Sequence, residues 1–242
     1  MSDSHDNQHD RKIWNESTSK KVDFENMNDG LLNFCLSYGF KGDDNRPKAS
    51  KEDMEWLKKV MDSIESDAKL MYSILEKSDK YLTQKSKGEK TEISEEQLKV
   101  ELDNLEELVE SIDNANDFIK MNGQYELGKL LLEIKNEDIL FTVWWVLQSI
   151  VQNNPIGQRA IYQNDVIMNV LKNQISTLPV DSKVLFKIIC FICSFITENE
   201  QIQKMVSSST FVEKYKQILS TGDEKIIDRL NYTLNKFKHK PF

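Results

Sequence analysis

The chain has 242 residues, of which 39% are hydrophobic and 30% charged, and its formal net charge is −8 at pH 7. This acidic balance excludes nucleic acid and anionic membrane surfaces as expected partners, since both attract clustered Lys and Arg. Only eight Gly and four Pro occur, and no stretch alternates apolar and polar β-branched residues, so the composition predicts an all-α protein.

The N-terminal residues 1–28 are polar and poor in apolar side chains, which predicts a disordered tail. No apolar core of a secretory signal stands in this tail. The longest apolar runs, Ile139–Val151 and Val184–Ile196, are shorter than the roughly 20 residues that a bilayer-spanning helix needs. We therefore expect a soluble, cytoplasmic protein.

Residues 29–83 are predicted to form an N-terminal helical segment. A short helix with an apolar face covers Gly30–Ser37, and a loop with two Gly and one Pro follows. Ser50 then caps a long helix in which apolar residues recur every three or four positions as far as Leu75. Residues 84–94, charged and interrupted by Gly88, are predicted to be a linker.

Residues 95–242 are predicted to form a core of helical repeats. A capping box from Ser94 to Gln97 opens the amphipathic helix Leu98–Ile112, which presents Leu105, Leu108, Val109 and Ile112 as one buried stripe. The polar corner Asp113–Asp117, a short apolar element, a turn at Asn122-Gly123 and a second amphipathic helix follow.

The same order of elements recurs twice more, starting from helices predicted at Ile139–Val151 and Ser182–Ile196. Corner residues Asn114, Asn153 and Asn199 mark a period of about 40 residues, which is the armadillo or HEAT range. A final helix, Asp223–Phe237, is predicted to cap the stack. The fold class is therefore an α-solenoid of armadillo-like repeats preceded by N-terminal helices.

The sequence predicts no enzyme, no cofactor and no metal site. The three histidines lie near the ends of the chain, and neither a Gly-rich phosphate loop nor a Ser/His/Asp arrangement occurs. Cys190 and Cys193 have the spacing of a redox or zinc motif, but they lie inside the apolar helix Ile188–Ile196. We interpret them as buried, unreactive thiols.

Residues Leu102–Asp117 resemble a known family. A leucine-rich helix that ends in an Ile-Asp-Asn-Ala corner is similar to the armadillo-type nucleotide-exchange factors of the 70-kDa heat-shock chaperone, the Fes and heat-shock-binding-protein family. Val151–Pro155 is similar to the Gln-Asn-Asn that ends the family's next long helix, and Lys51–Leu75 to the segment before its core. Leu31–Ser37 resembles its N-terminal Leu-Leu-x-Trp-Ser motif, with Phe34 at the aromatic position.

The resemblance implies a co-chaperone that binds the chaperone's ATPase domain as a monomer and accelerates ADP release. Such a protein acts by binding the open, nucleotide-poor chaperone better than the closed one, without catalysis. An armadillo scaffold or adaptor, whose concave groove binds a peptide or a helical partner, is the alternative. Release of ADP from a chaperone ATPase domain distinguishes the two.

The resemblance and the expected concave face also imply site residues. We expect the chaperone contact at Asp113, Asn114, Ala115, Asn116, Trp145, Gln148, Asn153, Lys187 and Ser194. Leu31, Leu32 and Phe34 are expected to form the N-terminal motif that releases bound polypeptide.

Three of these positions carry an alternative or a departure from the family. Lys187 either contacts the partner or extends to solvent. Of Trp144 and Trp145, one ring is expected in the core and the other in the groove. The family favours a small residue at Gln148, often carries Arg at Leu140, and usually has about four repeats, whereas here the fourth is at most a cap.

Overall fold

The computed structural model describes residues 66–197, 199–239 and 241. The chain divides into two compact units, Met1–Ile64 and Glu65–Phe242, and every described residue belongs to the second. The predicted tail at 1–28 and most of the predicted helical segment at 29–83, with Leu31, Leu32 and Phe34, lie outside the described residues.

Eleven α-helices and no strand make up the described part of the chain, which confirms the all-α class. In chain order they are α1 (Asp67–Ser86), α2 (Glu95–Val109), α3 (Ile112–Lys120), α4 (Gly123–Glu133), α5 (Glu137–Val151), α6 (Pro155–Tyr162), α7 (Asp165–Thr177), α8 (Lys183–Phe195), α9 (Glu200–Val206), α10 (Ser209–Thr221) and α11 (Glu224–Leu234).

These helices form two rows. The inner row consists of α2, α5, α8 and α11, each packed on the next, and the outer row of α1, α4, α7 and α10. The short helices α3, α6 and α9 lead from the end of each inner helix to the following outer helix. The outer helices α4, α7 and α10 begin at residues 123, 165 and 209, so the unit recurs after 42 and 44 residues. The armadillo-like solenoid is thereby confirmed.

The first inner helix begins and ends three residues earlier than the predicted Leu98–Ile112. Leu105 and Val109 are fully buried, as expected for the stripe of α2. However, α2 ends at Val109, and Ile112 is half exposed at the start of α3. The extended backbone at Ser111, with ψ of 128°, turns the chain and places Ile112 outside the stripe. The inclusion of Ile112 in the buried stripe was therefore wrong.

The corners repeat, although not through the predicted asparagines. Asn154 and Asn199 are the N-caps of α6 and α9, and each side chain accepts two backbone N–H bonds. Asn153 is the residue before one of these caps and has a φ of 52°, in the left-handed region that asparagine tolerates. Asn114 caps no helix and instead donates to the Leu108 carbonyl. The period was predicted correctly, but only Asn199 of the three markers is a cap.

The repeat unit also begins earlier than residue 95. Helix α1, capped by Ser66, packs on α2 and α4 and buries Met71, Ile74 and Tyr81. It takes the outer-row position ahead of α2. Its C-terminal end is tied to the start of α2, because Lys85 forms a 2.8 Å ion pair with Glu95. Residues 87–94 therefore connect two helices of one stack.

Candidate partner-binding site

We call the solvent-facing side of the inner row the groove. Helix α5 supplies the aromatic residues at its centre. Trp144 is fully buried, and its indole N–H donates to the Gln174 side chain of α7 over 2.8 Å. Trp145 is one residue further, a rotation of about 100° around the helix axis, and remains 39% exposed. One indole therefore stabilises the contact between the two rows, and the other faces the groove.

Lys187 of α8 is held against this aromatic centre. Its ammonium lies 4.2 Å from the centre of the Trp145 ring and 5.0 Å from that of Phe141, and it donates to the Gln148 side chain at 3.4 Å. The residue is only 8% exposed, so it does not extend freely to solvent, and burial lowers the pKa of its ammonium. No carboxylate among the described residues forms an ion pair with it. The groove thus carries a desolvated cation that rings and an amide hold in place.

A second buried charge lies on the α2 side of α5. Glu106 is 6% exposed and accepts a 2.7 Å hydrogen bond from the Ser149 hydroxyl. Burial raises the pKa of its carboxyl, although the Ser149 bond and the charge of Lys187 act in the opposite direction. Ser149 and Gln148 are adjacent on α5, so one helix presents the partners of both buried charges.

The raised pKa of Glu106 predicts a pH dependence of stability. The folded chain binds the Glu106 proton more tightly than the unfolded chain does. The protonated carboxyl therefore stabilises the fold at acidic pH, and this stabilisation is lost as the pH rises above 4.5, the ordinary pKa of a glutamate. Glu106→Gln removes this charge. We expect the difference in stability between the variant and the native protein to move in favour of the variant as the pH rises from 4 to 7. Urea midpoints at the two pH values measure this.

The exposed neighbour Glu107 provides the matched control for this prediction. Glu107→Gln removes one carboxylate charge from the same helix but leaves the buried Glu106 carboxyl in place. It should leave the difference between the two midpoints close to that of the native protein. An advantage of Glu106→Gln that shrank as the pH rose would contradict the assigned direction.

The predicted corner residues serve mainly to join helices. Asn114 donates to the Asp67 carboxylate of α1, and the side-chain oxygen of Asn116 accepts from Asn154, the cap of α6. Ala115 is 1% exposed, so its methyl group is packed in the core. The expected contact of Ala115 with the chaperone is therefore wrong. Of the four predicted contact residues at this corner, 113–116, only Asp113 is exposed.

The remaining predicted contact residues lie at the edge formed by the short helices. Asn153 is exposed and lines a cleft of roughly 640 Å³ between α6 and α9. Ser194 is half-buried, and its carbonyl accepts from Gln158 of α6. The structure brings Trp145, Gln148 and Lys187 together in the groove and leaves Asn153 and Ser194 outside that cluster.

Two groove residues were missed from the sequence. Phe141 lies one helical turn before Trp145, at the i−4 position, so the spacing of α5 could have placed it on the same face. Its ring meets that of Trp145 edge to face at 6.0 Å. Glu106 lies next to the exposed Glu107, and no sequence signal marks it as buried or pairs it with Ser149, 43 residues away.

Other chemistry is sparse in the described part of the chain. Cys190 and Cys193 are buried and unpaired, and burial raises the pKa of the Cys190 thiol, in keeping with unreactive core residues. No cluster of His, Cys, Asp and Glu suited to a metal occurs among the described residues. None of the described helices is long and apolar enough to cross a membrane.

The two-row stack with an aromatic and charged inner face defines a class, the armadillo-like solenoids, whose stacked repeats create extended surfaces. Comparison with known proteins narrows this class. Residues 4–118 match the model of the family described as nucleotide exchange factor Fes1. The described part of that match runs from Ser66 to Phe118 and covers α1, α2 and most of α3.

The chain is also similar to a curated relative, the Hsp70 nucleotide exchange factor fes1 of Schizosaccharomyces pombe (strain 972 / ATCC 24843). The two are 35% identical over 96 residues, which cover 38% of this chain and 33% of the relative. The match thus spans about a third of the relative's length. The resemblance to the Fes-type exchange factors, drawn above from the corner at Asp113–Asp117, is confirmed by the family match.

Proposed function

We propose that the protein is a co-chaperone that binds the ATPase domain of the 70-kDa heat-shock chaperone and accelerates ADP release. The match of residues 4–118 to the exchange-factor family carries this proposal. The groove supports it, because Trp145 offers an exposed aromatic ring and Lys187 a buried cation that forms no ion pair among the described residues. Trp side chains are among the residues that commonly dominate the binding energy of an interface.

The proposed mechanism requires only binding. A partner with an open and a closed nucleotide cleft shifts toward the form that fits the groove better, and ADP leaves faster from the open form. To shift a partner from 1% open to 99% open, the protein must bind the open form about 10⁴-fold more tightly than the closed form. A rigid surface suits this task. The caps, the row-to-row bond of Trp144 and the buried Glu106–Ser149 contact hold α2, α5 and α7 in fixed register.

The proposal includes finer points from the same resemblance. The protein acts as a monomer in the cytoplasm, with neither catalysis nor a cofactor of its own. Leu31, Leu32 and Phe34, outside the described residues, act on bound polypeptide. The chaperone contact comprises Trp145, Gln148 and Lys187 in the groove, with Asp113, Asn153 and Ser194 toward the corners.

Release of fluorescent ADP from the isolated chaperone ATPase domain tests the proposal in a stopped-flow instrument. The native chain is expected to accelerate release until the effect saturates. Lys187→Met keeps the length of the side chain but removes the cation, and it should raise the half-saturating concentration about tenfold.

Tyr125→Ala serves as the matched control, since Tyr125 is 56% exposed on the outer-row helix α4. This change should leave the half-saturating concentration unaltered. No acceleration at saturating native protein would refute the exchange-factor proposal. Binding to the ATPase domain without acceleration would favour the alternative, a scaffold that binds a partner in its groove.

A further inference from the structure

The last inner helix carries a stripe of cations and one aromatic ring. Lys225, Arg229 and Tyr232 recur at i, i+4 and i+7 on one face of α11, and Lys236 follows in the turn after the helix ends at Leu234. These four residues are called here the α11 stripe. Tyr232 is 52% exposed. The Arg229 guanidinium and the Lys236 ammonium lie 5.7 Å and 5.1 Å from the centre of its ring. The two cations are therefore fixed around an exposed aromatic ring.

The stripe continues the groove beyond Lys187. Helix α11 packs directly on α8, and the Lys225 ammonium lies 4.8 Å from the centre of the Phe186 ring on α8. Arg229 is near enough to Lys187 for their charges to repel. Cations and rings thus alternate across the groove from Trp145 on α5, through Lys187 and Phe186 on α8, to Tyr232 on α11.

The cations of the stripe share α11 with the carboxylates of Glu224 and Asp228, yet they form no ion pair within the described residues. Nine other ion pairs occur in the same part of the chain. At the opposite end of the inner row, α2 carries the buried Glu106 and the exposed Glu107, and the exposed Glu110 follows the helix. The stripe thus gathers three cations and one exposed ring in a chain whose net charge is −8.

From this charge distribution we infer that the α11 stripe is a second contact surface, which takes an acidic surface of the protein partner and steers its approach to the groove. The inference rests on the proposed function, because the partner tested is the chaperone ATPase domain. Charge complementarity at the rim of an interface mainly raises the association rate. Rings that hold the cations in place reduce the side-chain entropy lost on contact. The stripe thus orients the partner, because its acidic surface is attracted to the α11 end of the groove.

The association rate of the full chain with the ATPase domain, measured in stopped flow at several salt concentrations, tests the inference. The triple reversal Lys225→Glu, Arg229→Glu and Lys236→Glu should slow association about tenfold at roughly 20 mM salt. The difference should fall below about twofold near 1 M salt, where charges act over only about 3 Å. Tyr232→Ala should instead speed dissociation.

A matched reversal on other faces provides the control. Lys69→Glu, Lys172→Glu and Lys204→Glu change the net charge by the same amount at exposed positions on α1, α7 and α9. This variant should associate nearly as fast as the native chain. Equal slowing by both triple reversals would overturn the inference, since net charge alone would then explain the effect.

Two other outcomes would also overturn it. The stripe reversal could leave association with the ATPase domain unchanged while Lys187→Met weakens binding, in which case the groove binds but the stripe does not contribute. The native chain could fail to bind the ATPase domain at all, in which case the proposed function fails together with this inference. Unchanged circular dichroism and melting temperature of the reversed variant confirm that it folds.

Discussion

Trp144→Ala is expected to lower the free energy of unfolding by about 4 kcal/mol, the range found when a large buried side chain is removed. The Trp144 ring is fully buried and packs on Phe191 with ring centres 5.1 Å apart. Its loss leaves a cavity between the rows and the Gln174 side chain without its hydrogen bond. The melting temperature should fall by roughly 10 °C, measured by circular dichroism.

The adjacent Trp145→Ala is the matched variant, and its main effect should be on binding. Because Trp145 is 39% exposed in the groove, its removal should cost about 1 kcal/mol or less of stability. Affinity for the ATPase domain should fall about thirtyfold, or about 2 kcal/mol, since an aromatic anchor and the support of Lys187 are both lost.

Two results would contradict this separation of roles. One is a loss of stability in Trp145→Ala as large as that in Trp144→Ala. The other is an undiminished affinity of Trp145→Ala for an ATPase domain that the native chain binds. Trp145→Phe, which keeps a ring beneath the Lys187 ammonium, should recover much of the affinity and so distinguish loss of the ring from disturbance of α5.

Periodicity within a helix predicted the rows well, because apolar spacing records which face each helix buries. Such local patterns predicted both the stripe through Leu105 and Val109 and a period of about 40 residues, where the structure has 42 and 44. The same reasoning failed at Ile112, where the spacing continues across a break in the helix. Ser111 begins a new helix there without a side-chain capping bond, so the usual sign of a helix start is missing.

The groove depends on register between helices, which no local pattern records. Lys187 and Trp145 are 42 residues apart, and their contact follows from how far α8 is shifted along α5. Spacing could place Phe141 and Trp145 on one face of α5, but it could not show which cation would lie over them. Ala115 illustrates the converse, because its small side chain suits a surface contact and a close helix crossing equally, and burial decided between them.

The structure also explains how a short repeat array can retain a usable groove. Helix α11 occupies the position of a fourth inner helix and brings Lys225, Arg229 and Tyr232 to the same surface as Lys187. Helix α1 supplies an extra outer helix at the other end. The inner surface therefore spans four helices, although only three repeats within the described residues have an inner, a short and an outer helix.

Gly157→Ala is expected to lower the free energy of unfolding by about 3 kcal/mol, because helix α6 crosses the end of α5 at very close range. A Cβ at residue 157 would lie 2.3 Å from the backbone oxygen of Ile150 and 3.1 Å from the side-chain nitrogen of Asn154. A backbone atom cannot move aside as a flexible side chain can, so the corner itself must shift. Urea denaturation of the variant measures the loss.

Gly128→Ala on α4 makes the same chemical change where the structure can accept it. The new methyl group would meet the Val166 side chain at 3.3 Å, and Val166 is 38% exposed, so a shift of a few tenths of an ångström can relieve the contact. Replacing a helical glycine by alanine gains up to about 1 kcal/mol, so this variant should be as stable as the native protein or slightly more stable. Equal destabilisation by the two changes would show that helix interiors here reject any added methyl group. Opposite signs would instead identify the α5–α6 corner, which orients the end of the groove helix carrying Trp145 and Gln148, as the place where the backbone requires glycine.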